Sequence, residues 1–174
     1  GEVHETAADK KQLMARLKQQ LTRDALAKAD KSAGRAVFAQ TCAICHRLYG
    51  EGADIGPDLT GSGRANLDYL LENIVDPSAV VPADFRMTIM NLKDGRVLNG
   101  FVVAKSERTI TVRTMTEKLT LERSEITSAQ ELSQSLMPEG LLLALSETQV
   151  RDLIAYLMHP SQVPLPASSA AASH

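Results

Sequence analysis

Residues 42–46 read Cys-Ala-Ile-Cys-His, two thiols three positions apart followed at once by an imidazole. Over one helical turn this spacing brings both sulfurs to the same side of the chain. There they can add across the two vinyl groups of a porphyrin, with His46 held beneath the iron as an axial ligand. Cys42 and Cys45 are the only cysteines in the 174 residues. A zinc site needs two further ligands, and the other histidines, His4, His159 and His174, lie near the ends of the chain. A redox dithiol would want a strand before the pair and a βαβ context after it, and neither pattern is visible. The motif predicts one covalent haem c per chain, anchored at Cys42 and Cys45 and ligated by His46.

The composition agrees with a protein built around such a group. With 44% apolar residues, 23% charged residues and a formal net charge of −2, the chain can close one core and a small second unit. No stretch approaches the roughly 18 consecutive apolar residues of a membrane span. No basic excess marks a nucleic-acid footprint either. Tryptophan is absent and Phe and Tyr make only 3% of the chain, so a buried porphyrin would supply the flat apolar surface that aromatic side chains usually provide. The chain begins at Gly1 without an initiator Met, which reads as a processed chain or an excised piece.

The elements that must position the motif follow from periodicity. Residues 1–31 place Leu13, Leu17, Leu21 and Ala25 on one face and predict a single amphipathic helix, either a docking or oligomer-forming segment or a connector or extra packing helix. A short helical run from Ala33 to Ala39 leads into the Cys pair. Gly50, Gly52, Gly56, Gly61 and Gly63, with Pro57, then describe irregular chain wrapped close to something. Leu67 to Val75 reads as a helix capped by Asn66 and stopped at Asp76-Pro77. From 84 to 130 the period changes to two, and strands around 85–90, 97–104, 109–115 and 119–121, with an Asp94-Gly95 turn, predict a small antiparallel barrel of the SH3 or Sm type. Helical spacing returns at Ser146-Glu147-Thr148-Gln149, with Val150, Leu153, Ile154 and Leu157 as its stripe and Pro160 as its end. The Pro, Ser and Ala content of 160–174 predicts a disordered tail.

Residues 33–83 and 131–159 resemble a class I cytochrome c. The likeness is carried by Gly34 and Phe38 before CAICH, the loop IGPDL, a middle helix, LMPEGL, and a last helix ending LIAYL. GPDLTGSGR, NIVDPSAV, LKDGRVLNGFVV and SLMPEGLL are further similar to the haem-binding domain at the C-terminal end of large extracytoplasmic proteins of planctomycetes and verrucomicrobia. The resemblance implies a mainly α fold: a cytochrome domain at 32–83 and 131–159, a β-rich insert at 84–130, and an N-terminal helix and tail outside it. It also implies that the Pro57 carbonyl accepts from the proximal His46, and that Gly34 and Phe38 cross Tyr156. Arg64 would pair with a haem propionate or stand as a solvated loop residue.

The sixth ligand is chosen among methionines. Met137 lies 91 residues after His46, and 44 once the 47-residue β segment is removed, whereas Met87 and Met90 lie 41 and 44 residues after it directly. Distance leaves all three open. By the resemblance, the Leu-Met-Pro context before the last helix is where this class places the ligand, which favours Met137. Met87 and Met90 stand in a strand pattern where Met is ordinary packing.

These features favour a one-electron transfer module that accepts electrons from a redox partner protein or dehydrogenase domain and performs no bond-making chemistry of its own. The alternatives are a sensor or peroxidase-like haem with a dissociable sixth ligand, and a tethered interaction module. The haem-bearing segments sum to −6 and the insert to +2, so the insert reads as a docking surface or simply as a well-solvated module. The resemblance implies a periplasmic or otherwise extracytoplasmic location.

Overall fold

Leu13, Leu17 and Leu21 share one buried core with Phe38, Leu71 and Ile154, so of the alternatives for the N-terminal stripe it is the packing helix that the structure matches. In a computed structural model, which describes residues 7–79 and 81–167, the chain divides into two compact units. The first joins Gly1–Asp76 to Glu139–His174, and the second is Pro77–Pro138.

The first unit holds α1 (Ala7–Gln20), α2 (Arg23–Lys28), α3 (Lys31–Thr41), α4 (Leu67–Val75) and α5 (Glu147–Met158), with a two-residue hairpin of β1 (Arg47–Leu48) and β2 (Glu51–Gly52). The one helix expected over 1–31 is two. The Thr22 hydroxyl accepts from the Ala25 N–H at 3.1 Å and starts α2 afresh; residues 1–6 of that expectation lie outside the described residues. Local signals set the other starts. Asp30 caps α3, Asn66 caps α4 through the Tyr69 N–H, and Ser146 with Gln149 forms a capping box at α5.

Helices α3 and α5 cross at Gly34. A Cβ there would fall on the backbone carbonyl of Asp152 and 2.8 Å from Tyr156 Cβ, so only glycine permits the approach. One turn on, the Phe38 and Tyr156 rings meet edge to face, with centroids 5.8 Å apart and planes at 63°, a geometry worth about 1 kcal/mol beyond the area buried.

Disorder beginning at Pro160 does not hold for the residues next to α5. Gln162 accepts from the Tyr156 hydroxyl at 2.8 Å, the Val163 carbonyl accepts from Arg35 at 2.7 Å, and the Val163 side chain packs against the core. Two anchors of this kind offset the ordering entropy that a Pro- and Ser-rich segment would otherwise leave uncompensated. Residues 168–174, with the expected end of the tail, lie outside the described residues.

The second unit opens with a 3-10 turn at Ala83–Phe85 and continues with β3 (Thr88–Leu92), β4 (Val97–Lys105), β5 (Thr109–Arg113), β6 (Lys118–Glu122) and β7 (Ile126–Glu131). These form an antiparallel sheet in the order β6-β5-β4-β3-β7. The alternation is visible in β3, where Thr88, Met90 and Leu92 point inward, and Met90, Leu92, Val112 and Leu121 make a separate core. The Asp94-Gly95 turn is held by the Gly95 N–H on the Leu92 carbonyl, with Gly95 at φ +91°.

One expectation about fold class needs correction. With 39% of the described residues helical and 21% in strands, the chain is mixed α and β, not mainly α. The β-rich stretch is one five-stranded antiparallel sheet, and among the described residues no ladder joins β6 to β7.

Candidate haem attachment site

Helix α3 delivers the motif. It ends at Thr41, and the chain continues for one turn in which the Cys45 and His46 N–H groups both return to the Cys42 carbonyl, at 3.1 and 2.9 Å. Cys42 and Cys45 are free thiols, both partly buried. Burial, with the neighbouring Cys45 adding to it, pushes the Cys42 thiol up to about 12, so the unattached sulfur stays protonated at neutral pH.

The following loop folds back onto the motif. Tyr49 and Gly50, both at positive φ, make the two-residue turn of the β1–β2 hairpin. Beyond it, Ala53 N–H donates to the Ala43 carbonyl at 2.9 Å, Gly56 N–H to Cys45 at 2.7 Å, and Leu59 N–H to Arg47 at 2.8 Å. This lacing brings the Pro57 carbonyl 2.8 Å from His46 Nδ1. A carbonyl can only accept, so Nδ1 carries the proton and Nε2 is left with its lone pair. Gly56 lies against the ring, where a Cβ would stand 2.8 Å from Cε1 and 3.0 Å from Nδ1. Gly52, at φ +110°, would place its Cβ on the His46 carbonyl. The glycine-rich composition signalled a close wrap; which glycines touch His46 became visible only with the fold.

Arg64 is neither solvated nor part of this cluster. It is buried, and its guanidinium donates to the backbone carbonyls of Thr60 at 3.2 Å, Leu157 at 2.9 Å and His159. Its Cζ also lies 4.9 Å from the Tyr49 ring centroid, and the Tyr49 hydroxyl donates to the same His159 carbonyl at 2.6 Å. A cation over the last carbonyls of a helix satisfies orphan acceptors and the helix dipole together. Arg64 therefore ties the loop to the C-terminal end of α5.

Met137 is the penultimate residue of the second unit, where its N–H donates to the Ser135 hydroxyl at 3.1 Å. Met90 is sealed in the core of the sheet at 1% exposure, among Leu92, Val112 and Leu121. The structure thus gathers Cys42, Cys45, His46 and Pro57 at one place, sends Arg64 to α5, and leaves Met137 at the end of the other unit. Among the described residues no group of three or more His, Cys, Asp or Glu side chains gathers at one point.

The residues present fit a covalent haem: two thiols on one turn, an imidazole whose Nδ1 is occupied and whose Nε2 is free, and glycine where a side chain would press on that ring. Residues 32–94 match the family model described as Cytochrome c, and the chain carries a c-type cytochrome domain. Such a domain holds covalently bound c-type haem, typically one. The family points to haem-based electron transfer with a redox partner, not to catalysis by side chains. Comparison with curated proteins gives no match. No described helix is long and apolar enough to cross a membrane.

Proposed function

We propose that the chain is a one-electron transfer module whose haem iron is ligated by His46 on one side and Met137 on the other. The observation that carries this reading is the hydrogen bond from His46 Nδ1 to the Pro57 carbonyl. It fixes the ring and selects the tautomer with Nε2 free, which prepares the imidazole for ligation. When bound, the haem supplies the cycling between ferrous and ferric iron.

The chain's own residues hold and tune that group. Cys42 and Cys45 anchor it through their sulfurs, and His46 presents Nε2. A Met137 thioether on the iron would raise the reduction potential and exclude other ligands. Its Leu-Met-Pro setting ahead of α5 supports the assignment, and the burial of Met90 in its own sheet removes one rival. Arg64 serves the site through the architecture, by fastening the loop after Pro57 to α5. The electron donor is a dehydrogenase protein or domain, and the location is extracytoplasmic, because thioether attachment is carried out there.

Spectra of the haem-loaded protein test the reading. The ferric form is expected to show the far-red sulfur-to-iron band, and the ferrous form to resist carbon monoxide. Rapid carbon monoxide binding would instead identify a sensor or peroxidase-like haem with a dissociable sixth ligand.

A further inference from the structure

Lys10 stands on the apolar face of α1, one turn before Leu13 and two before Leu17, and is only 8% exposed. A lysine is kept at such a position only where its ammonium finds partners. It finds two: Asp76 Oδ1 at 2.9 Å and Glu139 Oε1 at 2.8 Å. Both carboxylates pull the ammonium toward its charged form and raise its pKa, the hydrogen bond to Glu139 being the largest single cause.

The identity of the partners gives the pair its meaning. Asp76 is the last residue of the first stretch of the cytochrome unit and Glu139 the first residue of the second. They mark the points where the chain leaves for the sheet unit and where it returns. Two carboxylates brought together without a cation repel one another; Lys10 neutralises both and joins the two crossings to α1. Glu139 is also separated from Met137 by Pro138 alone, so the tie fixes the chain directly after the sixth ligand.

We infer that Lys10 is a positioning residue for the axial methionine: its double ion pair to Asp76 and Glu139 anchors the Met137-Pro138-Glu139 segment to the cytochrome core. The inference rests on the assignment of Met137 as ligand. An external ligand binds only the fraction of molecules in which the methionine is off the iron. Loosening its anchor therefore raises the apparent affinity for that ligand.

The experiment titrates the ferric, haem-loaded full chain with imidazole while following the far-red band. Lys10→Met keeps the apolar stem and removes the charge. It is expected to weaken the band and raise imidazole affinity about tenfold, Lys10→Arg to restore both, and Ile154→Val, which loosens the same core from α5, to change neither. Met137→Ala separates the two layers of the argument. If it removes the band while Lys10→Met leaves imidazole affinity within about twofold, the positioning role is overturned and the ligand assignment stands. If Met137→Ala leaves the band in place, the assignment falls and the positioning role with it.

Discussion

His46 Nδ1 and the carbonyl of Pro57 lie 2.8 Å apart, so a backbone atom that no substitution removes sets the orientation of the imidazole. Its partner in this is Gly56, which keeps the face of the ring clear. Gly56→Ala places a methyl 2.8 Å from His46 Cε1 and must displace either the ring or the loop. An overpacking cost of about 1–3 kcal/mol is expected, with a shifted reduction potential. Chemical denaturation and a redox titration of the haem-loaded variant check both.

Met137→Ala is expected to abolish the far-red sulfur-to-iron band and to lower the reduction potential, because the thioether is the ligand that raises it. Met90→Ala is expected to leave the band untouched and to destabilise the sheet unit by about 2–5 kcal/mol, the range for opening a cavity in a closed core. Absorption spectra of the two ferric variants make the comparison.

Arg64 donates to carbonyls of Thr60, Leu157 and His159 from a buried position. Arg64→Met leaves those acceptors without their charged donor and is expected to cost about 3 kcal/mol. Arg64→Lys should recover little, since a point ammonium cannot reproduce the planar fork. A denaturation series measures both variants. A reduction potential close to that of the parent would fit a role carried by the architecture.

The Asp58 carboxyl accepts from the Thr60 N–H at 2.9 Å. That bond first, then the Thr60 side chain, holds its pKa below the ordinary 3.8. A depressed folded-state pKa means that the carboxylate stabilises the loop above pH 3.8 and loses this as the pH falls through its lower folded value. The stability gap between the parent and Asp58→Asn is therefore constant near neutrality and closes under acid, which denaturant midpoints at several pH values would follow.

The attachment motif was readable because its chemistry is compressed into five adjacent residues, 42–46. Helix α4 was readable for a similar reason: Asn66 and Asp76-Pro77 punctuate it locally. Strand β7 carries no such mark. Five of its six residues are exposed, and its state is fixed by pairing with β3 some forty residues earlier, which no local pattern records. The break at Thr22 was hidden because Leu17, Leu21 and Ala25 keep helical spacing across it. Lys10 was hidden because a lysine in a polar helix reads as solvated until its two partners, 66 and 129 residues away, are brought to it.

The crossing of α3 and α5 at Gly34 joins parts of the chain separated by more than a hundred residues, and so sets the entropy of closing the cytochrome core. Over half of that separation is Pro77–Pro138, which has a core of its own. A folded unit whose entry and exit neighbours, Asp76 and Glu139, meet on one ammonium counts as a short link in that closure. The effective loop is roughly halved, and halving a loop lowers its closure cost by only about 0.6 kcal/mol. A cytochrome core can therefore host a whole sheet between two of its helices at little cost in loop closure.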